Sequence, residues 1–506
     1  MNKRKFFIQG ITLTLISLSL RTMNIWFRSF LTEKIGPEGL GLYQLIFSVF
    51  TLAVTLTTSG ISLAVTRMVT SALNKNERSK VVSLVHRCML FCLILSTSVA
   101  VILYSSSDFC ARTFLGTASA APSLRMLALG LPFISLSTCL KGYFLAMEKG
   151  VTGSIGEFLE EILTLSLTVV IFNLGSLHSL ETACAGAMLA ASAGEVISFL
   201  WNYCCYRVNI FRSPELKGAG SSGVIKGLLH IALPCTLSAV ARSLLSTAEN
   251  LLIPARLQLG GFDFNSAMSA YGILCGMALP LLYFPSSLLF SFGFLMIPKL
   301  STEYELGHRR HVAYMTGRAI FTGLSFGVIC GLMFYSFSRE LGLVFYKSEA
   351  AGSYIRLLAP LTPLIFLDVI MASLLNGLDQ QLSSMKYNII DSALRVILVL
   401  LLLHRFGIGS YVAIMYFSAI FNGSLSLYKL IKVSEMDLSP VKNLLLEIPA
   451  AVLAVWAAGK LSFANIYLEL FLRILTAMTI YIFAGAIFST KKNSPEPSGP
   501  RLKIFG

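Results

Sequence analysis

Apolar runs of about 20 residues recur along this whole chain, from ITLTLISLSL near one end to ILTAMTIYIFAGAIF near the other. Each is long enough to cross ~30 Å of hydrocarbon as a helix. None shows the apolar–polar alternation of a barrel strand, and a bilayer admits only helices or closed barrels. Charged residues make up 13% of the chain against 55% hydrophobic, where soluble domains carry about 25% charge; the mean hydropathy is +0.75. The expected fold class is therefore all-α and integral to the membrane.

Hydropathy places about fourteen transmembrane helices, the first over 7–30 and the last over 466–489, so both termini fall on one side. Lys and Arg counts give an independent check, because cytoplasmic loops are enriched in them. With the amino terminus inside, the inner segments hold 26 and the outer ones 7. A missed span would scramble that asymmetry. The basic start MNKRKFF lacks a small-residue cleavage site and reads as the flank of an uncleaved first span.

Two stretches align at an offset of 231 residues, APSLRMLALGLPFISLSTCLKGYFLAMEKG from Ala121 and AGSYIRLLAPLTPLIFLDVIMASLLNGLDQQ from Ala351. The offset pairs Arg125 with Arg356, Pro132 with Pro363, Glu148 with Asp379 and Glu160 with Asp391. Nearer the start of each half it is 228, pairing Tyr43 with Tyr271. Equivalent spans then run in the same direction, which predicts two six-helix lobes related by a pseudo-twofold along the membrane normal. The expected organisation is a lobe over 1–206, a cytoplasmic linker over 207–223 and a second lobe over 224–437. Two additional helices over 438–490 and a tail over 491–506 complete it. Duplicated lobes with a site between them point to a transporter.

Charges inside spans are costly, about 2.5–3.5 kcal/mol each, and mark candidate sites. Arg21 and Arg28 stand seven residues apart on the first span, and Arg242, Glu249 and Arg256 repeat that spacing on the seventh. Seven residues is two helical turns, so each set shares a face, and both stripes can look into one central cavity. Arginine keeps its charge at any physiological pH and presents a planar fork of donors to phosphate oxygens. Such a cavity suits an anionic head. Arg21 lies roughly 20 Å into its span, and for it and Arg242 ligand contact stands beside structural pairing. Arg28 and Arg256 lie near the outer ends, where snorkelling is the alternative. Glu249 is a candidate counter-ion for Arg242 or Arg256, or a coupling site; Glu160 and Asp391 share the coupling role through the repeat. Asp391 with Arg395 at i,i+4 reads as a structural pair. Glu157 and Glu161 fall in the first turns of a span, where the helix dipole favours them. Pro280, Pro285 and Pro298 cluster in the eighth span, where prolines kink a helix and free carbonyls.

Other signals fail. GAGSSG (Gly218 to Gly223) matches a dinucleotide fingerprint only as a string, with no preceding strand. There is no Walker A motif, no nucleophile elbow and no metal-ligand spacing among the 6 histidines and 10 cysteines. The thiols read as reduced and structural. No cofactor or metal is expected, although coupling to an ion gradient or the membrane potential is open. The net charge of +15 is scattered between spans, which argues against nucleic acid.

The string IGPEGLGLYQLIFSVF after a basic first span, SGISLAVTRMV in the second and the fourteen-span layout together resemble the polysaccharide-flippase branch of the multidrug/oligosaccharidyl-lipid/polysaccharide exporter superfamily. The resemblance covers nearly the whole chain and is strongest toward that branch's sporulation-associated and lipid II flippase-like members. It implies two lobes around a V-shaped cavity and no enzymatic activity. The implied work is alternating-access flipping of an undecaprenyl-pyrophosphate-linked saccharide across a bacterial plasma membrane, with a lipid II-like precursor for the spore cortex as the finer expectation. Implied partners are this lipid-linked substrate, membrane lipids and cell-wall synthesis proteins. By distance from Gly36, Arg21 matches a family cavity arginine, Arg28 a second to within a residue, and Arg67 a third more loosely. The family's arginine on span 8 is missing here, and Arg242 is the proposed substitute. The last two spans resemble the pair that forms a lipid-tail groove. Exopolysaccharide flipping, drug or cation antiport, a membrane transferase and a cell-wall scaffold are the alternatives.

Overall fold

The computed structural model describes residues 3–75, 77–174, 179–213, 224–437 and 444–490. The GAGSSG string, most of the expected linker and the tail over 491–506 lie outside them. Among the described residues every regular element is a helix. Ten helices among the described residues are long and apolar enough to cross a membrane, and the first of these stretches, Leu15–Asn74, has 60 residues. That is three times the length one crossing needs. The full fourteen expected from hydropathy are not all reached by this criterion. The helix Gly150–Asn173, with Glu157, Glu160 and Glu161, is among those outside it.

Helix α1 (Lys3–Thr58) contains expected spans 1 and most of 2 without an intervening loop. Gly36 carries φ 71° and ψ 178°, a backbone region open in practice only to glycine, and Pro37 starts the next limb where its missing N–H costs nothing. The two limbs fold back on each other. Arg28 donates to Gln44 Oε1 at 3.0 Å, although sixteen residues of straight helix would separate them by roughly 24 Å. The IGPEG string is thus a hairpin corner between helices. A second break at Gly60 (φ 75°) opens α2 (Ile61–Asn74), so the second span is interrupted where one helix over 40–66 was expected.

The amino-terminal lobe continues with α3 (Val81–Ser105), α4 (Ser107–Thr113), α5 (Ala121–Ala146), α6 (Gly150–Asn173) and α7 (Leu180–Arg212). The second lobe holds α8 (Val224–Leu259), α9 (Phe264–Tyr271), a π-helical turn over Gly272–Ala278, α10 (Leu279–Tyr283) and α11 (Ser286–Glu305). It closes with α12 (Arg309–Ser336), α13 (Ser338–Tyr346), α14 (Glu349–Leu358), α15 (Thr362–Gly377), α16 (Gln381–Phe406) and α17 (Ile408–Ser434). The repeat is written into the backbone. Helices α4 and α13 begin at Ser107 and Ser338, and α6 and α16 at Gly150 and Gln381, each 231 residues apart. Glu148 and Asp379, paired by the same offset, both adopt positive φ, at 56° and 58°.

Helices α18 (Leu444–Gly459) and α19 (Ile466–Thr490) pack together and against α12 and α13 of the second lobe. Arg473 of α19 holds them there, with Nη1 2.9 Å from Glu340 of α13 and Nη2 2.6 Å from Glu469. Glu447 of α18 accepts from Ser325 of α12. The helix α12 is 61% buried over its most apolar window, whereas its repeat counterpart α3 is 22% buried.

The lobes meet where the second limb of α1 crosses α9 and the π turn. A methyl at Gly41 would lie 2.2 Å from Met268 O, and one at Gly272 would lie 2.1 Å from Pro37 O. Backbone cannot yield to that. Alanine at either position should cost about 1–3 kcal/mol, the usual overpacking range. Melting in detergent should show it, while Gly409→Ala, with nothing within 4 Å, should leave the melting point unchanged or slightly raised. Equal melting of all three would refute the tight crossing. Elsewhere the lobes touch through Lys347 and Glu33, 2.9 Å apart beyond the hairpin corner, and through Thr236 Oγ1, which donates to Ser59 O at 2.5 Å.

Candidate functional site

Between the lobes lies a cavity of about 760 Å³, within the size range of ligand sites. Its walls come from α1 (Arg21, Asn24, Arg28, Gln44), α5–α7 (Lys141, Glu157, Glu160, Glu161, Glu195), α8 (Glu249, Asn250), the π turn with α10 (Cys275, Tyr283), and α16–α17 (Arg395, Tyr411). Both halves of the repeat therefore contribute, as a site on a pseudo-twofold requires.

The four cations are held in two different ways. Lys141 Nζ lies 2.9 Å from Glu157 Oε1, and Arg395 lies 3.3 Å from Glu249 and 3.4 Å from Asp391. Glu249 also accepts from Tyr411 at 3.1 Å, and Asp391 from Ser418 at 2.7 Å. These cations are neutralised by carboxylates. Arg21 and Arg28 have no carboxylate within ion-pair distance among the described residues. Arg21 Nη1 donates to Tyr283 O at 3.3 Å. Arg28 donates from Nε to Asn24 Oδ1 at 2.9 Å, and from Nη1 to Gln44 Oε1 at 3.0 Å and to Gly276 O at 3.2 Å. Every acceptor there is neutral, so neither guanidinium is neutralised by a carboxylate in direct contact. An anion that reaches them gains charge-assisted hydrogen bonds, roughly twice as strong as those they now make.

The adjoining wall, from helices packed on α1, is acidic. Glu157, Glu160 and Glu161 project from α6 and Glu195 from α7, with Lys141 the cation set among them. The cavity thus has a cationic flank on α1 and an anionic flank on α6 and α7.

Of the residues singled out in the sequence, Arg21, Arg28, Glu160 and Glu249 line this cavity, and Asp391 is buried behind it against Arg395. Arg242 is exposed and Arg256 half-buried on α8, both outside the wall. Arg67 lines a separate shallow groove on α2 with Lys75. Glu249 is therefore the counter-ion of Arg395, and the expected pairing with Arg242 or Arg256 is corrected by a contact 146 residues along the chain. Spacing within one helix carries no information about which helix its face meets. Lys141 lines the cavity from the end of α5, and Arg395 belongs to the Asp391 pair expected at i,i+4. Nothing in single-helix periodicity marks either as cavity-lining, though the density of acids on α6 and α7 was a signal that their faces meet something polar. The ten cysteines are all free.

A family profile described as "Polysaccharide biosynthesis protein" matches residues 8–302. Stage V sporulation protein B of Bacillus subtilis (strain 168) is 26% identical over 414 residues, covering 80% of this chain and 79% of that one. Sporulation protein YkvU of the same organism is 22% identical over 362 residues, covering 70% and 78%. Among solved structures, the lipid II flippase MurJ in an inward closed conformation superposes with a TM-score of 0.72 at 13% identity, covering 95% of this chain and 99% of that one. An inward-facing multidrug resistance MATE family transporter of the MOP superfamily gives 0.63 at 17% identity, covering 84% and 99%. At these identities the two structural likenesses speak for the fold.

Proposed function

Because the chain belongs to the polysaccharide biosynthesis protein family, we propose that this multi-pass membrane protein is a transporter that flips a lipid-linked oligosaccharide between leaflets by alternating access. The observation that carries this is the pair Arg21 and Arg28, two guanidiniums without carboxylate partners in a cavity between duplicated lobes. They would take the pyrophosphate through bidentate N–H···O bonds. The polar wall would shelter the saccharide, and the prenyl tail would remain in lipid. The finer reading is an undecaprenyl-pyrophosphate saccharide like lipid II, flipped outward across a bacterial plasma membrane for spore cortex peptidoglycan, with both termini cytoplasmic. Similarity to a stage V sporulation protein supports that choice, and cell-wall synthesis proteins would be the partners that supply and consume the lipid.

The experiment is reconstitution in liposomes with labelled undecaprenyl-pyrophosphate-linked disaccharide, scoring the fraction that becomes accessible from outside. Protein-dependent exchange with the lipid recovered at unchanged mass is expected. A changed mass would indicate a transferase, and absence of exchange would overturn the proposal. The acidic wall on α6 and α7 favours a second reading, cation antiport. Uptake of a cationic dye by the same vesicles, without lipid exchange, would select it.

A further inference from the structure

Both unpaired arginines belong to the amino-terminal lobe, and each reaches across to a backbone carbonyl of the other lobe. Both carbonyls sit beside prolines that interrupt the α-helical bonding of their span. Proline at 280 removes the α-helical donor that would face Gly276 O, and the backbone there runs in the π register, with Leu279 N–H bonding Leu274 O; an acceptor with two lone pairs has room for the Arg28 guanidinium as well. The donor for Tyr283 O would be Ser287 N–H, but the break at Pro285 turns that group to Phe284 O at 3.3 Å. Tyr283 O is left to accept from Ser286 Oγ at 2.6 Å and from Arg21. Two proline interruptions in one span thus lie beside two acceptors, and the two cavity arginines without a carboxylate partner bond to them.

We propose that these carbonyls are resting berths for the arginines, so that the empty site latches the lobes together, and that phosphate oxygens of an arriving ligand take over the guanidinium donors and release the π turn and α10 from α1. Binding and lobe release then compete for the same N–H groups. A neutral carbonyl at 3.2–3.3 Å is a weak holder beside an ionised phosphate, whose N–H···O bonds are shorter and about twice as strong. The latch therefore yields to an ionised phosphate or pyrophosphate group that reaches the cavity. It rests on the reading of Arg21 and Arg28 as phosphate donors, and accounts for prolines in a span whose role in binding is otherwise undefined.

The test is hydrogen–deuterium exchange of the segment 272–288 in nanodiscs, with and without undecaprenyl pyrophosphate, while bound probe is quantified by mass spectrometry on the same samples. In the wild type the probe should speed exchange about thirtyfold, the loss of two ordinary hydrogen bonds at about 1 kcal/mol each. The double variant Arg21→Gln, Arg28→Gln should exchange at that faster rate without probe and not respond to it. Slow exchange in the ligand-free double variant overturns the latch even when the wild type binds the probe. Fast exchange in that variant with no probe binding by the wild type overturns the phosphate reading and leaves the latch standing. Pro280→Ala adds a backbone N–H in α-helical register with Gly276 O, competes with Arg28 for that acceptor, and should tighten probe binding about threefold to fivefold. Unchanged or weaker binding in Pro280→Ala counts against the Gly276 berth.

Discussion

Glutamine at both Arg21 and Arg28 should lower leaflet exchange of the lipid-linked saccharide on the order of a hundredfold or more. Each guanidinium contributes hydrogen bonds to a charged group, typically worth about 1.5–3 kcal/mol, and two such losses multiply. Glutamine retains polarity and approximate shape, so the fold should hold; a melting curve in detergent checks that separately. Lysine at both positions keeps the charge but loses the planar fork, and exchange should fall to an intermediate rate. The matching controls are Arg242→Gln and Arg256→Gln on α8, which lie outside the cavity wall and should transport nearly as the wild type does. Wild-type rates in the Arg21, Arg28 double variant would remove the cationic site. Loss of transport in Arg242→Gln would return the substitute role to that residue.

Replacing Arg395 by leucine should be the most destabilising single change in the cavity, about 3–5 kcal/mol. The guanidinium stands between Glu249 and Asp391, whose exposures are 3% and 6%. Removing it strands two buried carboxylates, and breaking a buried pair from one side carries that cost. The effect should appear as a lower melting temperature in detergent. Adding Glu249→Gln and Asp391→Asn to Arg395→Leu should restore much of the loss, because a neutral set needs no counter-charge. If the single variant melts like the wild type, the group is open to water and its charges are screened. If the triple variant melts no higher than the single one, packing and not charge holds that junction.

The layout was legible in the chain because bilayer crossing imposes length and apolarity residue by residue. The repeat was legible too. An offset read from Arg125 and Arg356 or from Pro132 and Pro363 reappears as common helix starts and as matching positive φ at Glu148 and Asp379. Gly36 and Pro37 were visible as a motif, but their work as a corner without a loop appears only once Arg28 and Gln44 are in contact. The site divided along the same line. Arg21 and Arg28 share a face with each other and with the cavity. The α8 stripe did not carry over, since Glu249 faces inward while Arg242 and Arg256 do not line the wall. Seven residues fall short of two full turns by about 20°, and Pro254 lies inside the helix between Glu249 and Arg256. Lys141 and Arg395 owe their roles to partners on other helices or other faces, which a pattern along one helix does not encode.

The strapping of α18 and α19 to the second lobe separates two halves that descend from the same pattern. The helix α3 presents most of its surface to lipid, while its counterpart α12 lies mostly against protein. Acyl chains press on the amino-terminal half there and are held away from the equivalent face of the other. Bilayer thickness and fluidity should therefore act unequally on the two halves, making the molecule asymmetric in its response to its solvent.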